Sequence, residues 1–422
     1  MAKIVVLGAG IAGHTAAAHL RRKLSKEHEV LVVSPNRNYQ WVPSNIWVGI
    51  GRMKSKEVIF PLEPLYNRKG IGYKQAKAVS FHPEGDATED KPFILVEGVY
   101  GESLGKQEKV TYDYLINATG PKLAFDLTEG LLPATNKVYS VCTYDHAEHA
   151  SDALHKLINQ LKKSDKKSKI LIGTGHGKAT CQGAAFEYIL NVEKELQKFG
   201  VRDKAEITWI SNEYELGDFG MDGMLMEYNG FNMKSKDMIE MIFEDRGIKW
   251  ILGAAVQKVE DGIVHYENLE GEFKTETFDF AMLIPAFSGH GFQAYDKTGQ
   301  NITEKLFKGF MVVDADYTAK PYEEWVAEDW PSTYRNPSYP NMFAVGIAFA
   351  PPHQISKPRK SPNGTLIAPS PPRTGMPSGV MGKLAILSIK ELIKNGDSAT
   401  VPTASMADMG AACVASAGNG IE

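Results

Sequence analysis

The chain opens on a pattern that few folds accommodate. Lys3–Leu7 reads as a buried strand, Gly8-Ala9-Gly10-Ile11-Ala12-Gly13 follows without a gap, and His14–Leu24 has helical periodicity. A glycine loop between a strand and a helix is how a dinucleotide-binding βαβ unit begins. The first glycine permits the tight turn, the second lets backbone approach a pyrophosphate, and the third lets helix and strand pack closely. The helix N-terminus adds partial positive charge. The next strand, Glu29–Val33, ends at Ser34, where such folds usually place a ribose-binding carboxylate. A serine hydroxyl still bonds a ribose, and the departure favours FAD over NAD. The alternative is a glycine turn that merely packs.

A second start of the same kind lies midway. After a lysine-rich linker (Lys162, Lys163, Lys166, Lys167), Lys169–Gly173 reads as a strand, and a loop running from Gly173 to Gly183 leads into a helix over Ala184–Gln197. The motif's third glycine falls at Lys178, and the partner strand Ala205–Ile210 ends in Ser211 instead of an acid. The geometry of a nicotinamide domain is therefore expected without its recognition chemistry. Cys181 stands in that loop just before the helix, where the backbone dipole favours a thiolate; the alternative is a small core residue. Glu187, six residues on, is a candidate proton carrier or part of a solvated face.

At roughly 100–200 residues per domain, 422 residues predict two or three domains. With 47 basic against 51 acidic residues and a net charge of −4, a general nucleic-acid binder is not expected. The three cysteines Cys142, Cys181 and Cys413 are too few for a secreted disulfide framework and lack zinc spacing, so no metal site is expected. The N-terminus runs straight into the first strand, which argues against a secretory signal. No apolar stretch approaches the about 20 residues of a spanning helix, so any membrane association is expected to be peripheral. The Pro-rich stretch Pro351–Pro372 reads as a functional loop. It ends in Arg373-Thr374-Gly375-Met376-Pro377 before a helix over Ser378–Lys394.

Four segments together resemble the sulfide:quinone oxidoreductases, within the two-dinucleotide-domain, pyridine nucleotide-disulfide reductase-like flavoproteins. They are the run 41–49 (WVPSNIWVG), the run 117–125 (NATGPKLAF), the Cys181 loop ending in Gly183-Ala184-Ala185-Phe186-Glu187, and Ala344-Val345-Gly346. The likeness runs from residue 1 to about residue 415. It implies an α/β protein with two Rossmann-like dinucleotide-binding domains: residues 1–140 with 300–395 for FAD, residues 141–299 with the degenerate loop, and a C-terminal segment over residues 396–422 carrying a redox cysteine. It implies FAD held by Gly8, Gly10, Ala12, Gly13, Ser34, Pro43, Ser44, Ala78, Thr119, Gly120, Gly346 and Gly375. Catalytic roles fall to Cys181, Cys413, Cys142, Glu187 and His146. Where the family often has its third cysteine this chain has Ser405, so Cys181–Cys413 is the implied redox pair and Cys142–Cys181 the fallback. The segment matching a second family histidine reads Gly217-Asp218-Phe219.

The activity so implied is FAD-dependent oxidation of sulfide to polysulfide or sulfur, through a cysteine persulfide and a thiolate–flavin adduct, with ubiquinone or menaquinone as acceptor. The implied location is the surface of a bacterial or archaeal cell membrane, and a homo-oligomer is compatible. Three other readings stay open: a type II NADH:quinone dehydrogenase, the flavin subunit of a flavocytochrome c-type sulfide dehydrogenase, and a non-enzymatic flavin redox sensor.

Overall fold

The computed structural model describes residues 1–228, 230–409 and 416. Two sheets organise it. The first runs in the order 342–344, 114–117, 3–7, 29–34, 72–82, 93–98, 107–111, with the short strand Gln293–Ala294 beside 72–82. From 342–344 to 72–82 it is parallel, and the last three strands form an antiparallel meander. The central strand Lys3–Leu7 reads Lys-Ile-Val-Val-Leu and is buried from Ile4 onward, as a strand covered on both faces must be. Helix Ile11–Lys23 covers one face and packs against helix Gly375–Asn395. Small residues permit this contact: a Cβ on Gly382 would stand 3.0 Å from the Ala12 carbonyl oxygen.

The second sheet holds five parallel strands in the order 138–139, 280–284, 168–174, 205–210, 248–251. Helices Tyr144–Leu161 and Gln182–Lys198 bury Leu154, Ile158, Ile189 and Leu196 against it. The mixed α/β architecture with two Rossmann-like sheets, the first parallel in its core and the second throughout, is the one expected. Val138–Tyr139 was grouped with the first unit, but it pairs in register with Ala281 and Met282 of the second sheet. The chain therefore changes sheets before residue 138. Two crossing strands, Lys122–Ala124 and Ala286–Ser288, pair antiparallel where it passes between the sheets.

The Gly375 helix begins three residues earlier than its periodicity suggested, which makes Gly375 its first residue. The Cys181 helix likewise begins at Gln182, two residues early. In both cases glycine and polar residues at the start hid the first turn.

Candidate active site

The first glycine loop forms a cradle at the C-terminal end of the first sheet. Gly8 has φ +92°, and a Cβ there would lie 2.3 Å from the Ala118 carbonyl oxygen. A Cβ on Gly13 would lie 2.1 Å from the Gly8 carbonyl oxygen. Both glycines therefore serve backbone packing. A Cβ on Gly10 would meet nothing within 4 Å, so space lies open above the start of helix Ile11–Lys23. That helix has no side-chain cap and no acidic residue in its first turn, which leaves its N–H groups to an anion.

Around this cradle, Ser34 is buried and its hydroxyl oxygen accepts the Asn36 N–H at 3.2 Å, which keeps its own proton free to donate. Thr119 donates to Asn117 Oδ1 at 2.8 Å, and Gly120 turns with φ +69°. Ala78 stands at a register break in strand Gly72–His82. A Cβ on Gly346 would lie 3.2 Å from Ala12 Cβ and one on Gly375 3.3 Å from Ile11 Cδ1, so both glycines stand close to the first helix. Pro43 and Ser44 are not brought to the cradle helix: they form a 3-10 turn leading into helix Asn45–Gly49, which packs on helices Tyr144–Leu161 and Gln182–Lys198.

Two buried polar residues to which the sequence reading gave no role carry unpartnered atoms. Asn45 is fully buried and donates to the Val141 carbonyl at 3.0 Å, while its Oδ1 has no partner. Arg373 precedes the Gly375 helix and donates to the carbonyls of Ile347 and Phe349 at 3.2 and 2.5 Å. Burial pulls its guanidinium down to about 9, and its Nε is unpartnered. A neighbouring run of apolar and proline residues gave no local signal for either role. The open Gly10 cradle, the uncapped helix and the buried cation fit FAD.

The second glycine loop is filled by its own chain. Asn212 Nδ2 donates to the carbonyls of Gly177 and Ala179, each at 3.1 Å, and Gln182 Nε2 donates to Asn212 Oδ1 at 2.9 Å. The Pro-rich segment then lies across the loop as a strap. Ala368 N–H donates to the Gly177 carbonyl at 2.9 Å and Ser370 N–H to the Ala179 carbonyl at 3.1 Å. Ser370 Oγ donates to the Lys178 carbonyl and Thr180 Oγ1 to the Ser370 carbonyl, both at 2.8 Å. A Cβ on Gly177 would stand 2.7 Å from the Leu366 carbonyl oxygen, so the strap leaves no gap there. Two buried carboxylates hold it down. Glu267 accepts from Ser361, Asn363 and Thr365, and Asp218 accepts from Ser356.

Ser211, at the position of the usual ribose-binding acid, donates to Glu213 Oε2 at 2.7 Å. Glu213 also accepts the Phe219 N–H at 2.8 Å, and burial pushes its carboxyl up to about 7. Asp218 is raised by burial too. A raised carboxyl holds its proton in the fold at pH values where the unfolded chain has lost it, so the fold loses stability as pH rises from about 4.5 to about 7. Glu213→Gln should flatten that part of a melting-temperature profile recorded from pH 5 to 8. An unchanged slope would assign it to other groups.

Cys181 caps the start of helix Gln182–Lys198. It is exposed and sits in the left-handed region with φ +74°, a conformation that costs a non-glycine residue of order 1–3 kcal/mol. Cys142 follows strand Val138–Tyr139 of the second sheet. It packs against the second core, and burial pushes its thiol up to about 11. A neutral thiol at this position disfavours it as an attacking thiolate. His146, in the first turn of helix Tyr144–Leu161, lies edge-on to Phe125 at 5.6 Å. Its Nδ1 is buried without a partner, and burial lowers its pKa.

Glu187 does not stand in solvent. Its Oε1 accepts both the N–H of Ser416 at 3.0 Å and its hydroxyl at 2.6 Å. Asn191, one turn further, donates to the Ser416 carbonyl at 2.7 Å. The pair at i and i+4 thus clasps Ser416. Cys413 lies outside the described residues. Among the described residues no cluster of His, Cys, Asp or Glu could hold a metal.

Residues 2–180 match the family described as pyridine nucleotide-disulphide oxidoreductase. The sulfide-quinone reductase of Aquifex aeolicus is 29% identical over 419 residues, covering 99% of this chain and 82% of that protein. The crystal structure of the sulfide:quinone oxidoreductase from that bacterium superposes with a TM-score of 0.75 at 26% identity, with the same coverage. The chain is similar over its length to the sulfide:quinone oxidoreductases. A mitochondrial sulfide:quinone oxidoreductase of Dictyostelium discoideum is 24% identical over 68% of this chain and 57% of its own length. The NDH2 of Plasmodium falciparum, solved with NADH, shares the fold alone, with a TM-score of 0.65 at 13% identity.

Proposed function

We propose that the protein is an FAD-dependent sulfide:quinone oxidoreductase that oxidises sulfide to polysulfide or sulfur and passes the electrons to a membrane quinone. One observation carries the choice among related activities: the cleft that would hold a nicotinamide dinucleotide is filled by Asn212 and the strap 366–370, while Cys181 is presented, exposed, at its rim. That arrangement speaks against the type II NADH dehydrogenase reading. FAD, when bound, supplies a two-electron carrier between sulfur and quinone.

In this reading hydrosulfide attacks a Cys181–Cys413 disulfide, the S–S bond breaks to leave a persulfide on Cys181 and a thiolate on Cys413, and FAD, when bound, would accept the electron pair. Cys142, buried against the second core, stays a protonated thiol. Glu187 acts by clasping the C-terminal segment at Ser416, and His146, neutral and lacking an Nδ1 partner, is the group left to exchange a proton. The unit around the first sheet holds FAD through the glycines of the cradle. The absence of a spanning helix among the described residues agrees with attachment at the membrane surface.

An anaerobic titration tests the reading. Sulfide should bleach the yellow flavin absorbance, NADH should not, and added quinone should restore the colour. Bleaching by NADH alone would select the dehydrogenase, and no bleaching by either donor would select a redox sensor.

A further inference from the structure

The strands Lys122–Ala124 and Ala286–Ser288 cross between the two sheets in a fixed register: Ala286 stands opposite Ala124, Phe287 opposite Leu123 and Ser288 opposite Lys122. Carried two residues further, that register sets His290 opposite Gly120. Gly120 lies in the link 118–121, which joins strands 114–117 and 122–124 beside the FAD cradle. The His290 ring reaches the carbonyls of both Thr119 and Gly120 there. We propose that His290 is a positioning residue for the cofactor: its ring N–H holds these carbonyls and so seats the link against the first glycine loop. The proposal rests on the FAD site described above.

The polar groups of the link show why a donor matters at this point. The Ala118 N–H donates to the Leu7 carbonyl at 2.8 Å, and the Asn117 carbonyl accepts the Val345 N–H at 2.9 Å. Thr119 directs its N–H and its hydroxyl to Asn117 Oδ1 at 3.3 and 2.8 Å. The Ala118 carbonyl presses on Gly8, 2.3 Å from where a Cβ would stand. The next two carbonyls along the chain are those that His290 meets, and Gly120 turns there with φ +69°. A donor at the turn keeps Ala118 and Thr119 seated on the loop that would hold the pyrophosphate.

His290 is an exposed residue, yet it is held on two sides. Beside it, a Cβ on Gly289 would stand 1.7 Å from the Gly309 carbonyl oxygen, so the backbone there is pinned. Its ring stacks on Phe292 at 5.4 Å, and Phe292 lies 5.2 Å from Phe81, which is fully buried in the first core. The imidazole is therefore aimed at the link by its surroundings. Partial burial of the ring, with Lys122 adding to it, keeps its pKa below the ordinary value, so at neutral pH the ring is uncharged and carries one N–H. Lys122 is itself paired with Asp126 at 3.0 Å. Residues 280–284 belong to the second sheet and 293–294 to the first, so His290 sits on the return path between them. The seating of the cofactor then depends on both units.

The purified flavoprotein can be diluted in steps while flavin fluorescence reports the release of FAD. His290→Leu, which has no donor, should release FAD with a dissociation constant about tenfold higher, as expected for losing one or two hydrogen bonds to backbone, while His290→Gln, which keeps an N–H, should stay within about twofold of the wild type. Amide exchange at Ala118, Thr119 and Gly120 should quicken in the leucine variant and not in the glutamine variant. Wild-type affinity in His290→Leu would overturn the assignment. Equal losses in the two variants would overturn it as well, because they would mark packing and not donation. A wild type that purifies without flavin would overturn the cofactor reading instead, and amide exchange would still decide whether His290 holds the link.

Discussion

Cys181→Ser should retain FAD and lose sulfide-driven flavin bleaching, with the rate falling by about three orders of magnitude or more, as loss of a nucleophile usually costs. Stopped-flow absorbance under anaerobic conditions measures it. The backbone supplies a control that most cysteines lack. At φ +74° the side chain is a strain on the fold, so Cys181→Gly should be equally inactive yet melt no lower than the wild type. A variant that loses activity while its fold is unharmed separates a chemical role from a packing one. Full bleaching in either variant would remove Cys181 from the reaction. Cys142→Ser should have a smaller effect, because burial already keeps that thiol protonated at neutral pH.

The second large effect is expected at the cradle, where two neighbouring glycines should fail in different ways. Gly8→Ala forces a Cβ to 2.3 Å from the Ala118 carbonyl oxygen at φ +92°, so it should lower both the melting temperature and the amount of FAD that copurifies. Gly10→Ala meets no protein atom within 4 Å. Its apoprotein should therefore melt like the wild-type apoprotein, while FAD binds about tenfold to a hundredfold more weakly, the range expected from an overpacked contact. Flavin fluorescence titration and melting of the stripped proteins distinguish the two. Unchanged FAD affinity in Gly10→Ala would mean the open space is not the cofactor's.

Much of this architecture was legible because its signals are local. Lys3–Leu7, Gly8–Gly13 and the helix after them lie within two dozen residues, and hydrophobic period and glycine spacing report such units directly. The weakened second loop could be read for the same reason, since Lys178 and Ser211 are departures at fixed offsets from a strand. What fills that loop could not be read. Thr180 and Ser370 are 190 residues apart and Lys178 and Ser370 are 192 apart, so no window of sequence contains both. Asp218 and Glu267 look like solvated acids in sequence, and only their burial against the strap's donors turns them into anchors. Glu187 was visible, but its partner Ser416 lies 229 residues away, which changes its reading from proton carrier to clasp. Val138–Tyr139 falls in the first unit by sequence because a two-residue strand carries almost no periodicity.

The strap over the second glycine loop bears on how the protein responds to its surroundings. A segment covalently joined to the surface it covers competes at an effective concentration of order millimolar or above, and no dilution lowers it. A free dinucleotide would also have to displace the bonds from Ala368 and Ser370 and unseat Ser356, Ser361 and Thr365 from their carboxylates. The occupancy of that cleft is then independent of the metabolic state of the cell. Swings in the nicotinamide ratio, which tune many enzymes of this shape, would pass this one by, leaving its turnover to the supply of reduced sulfur and oxidised quinone.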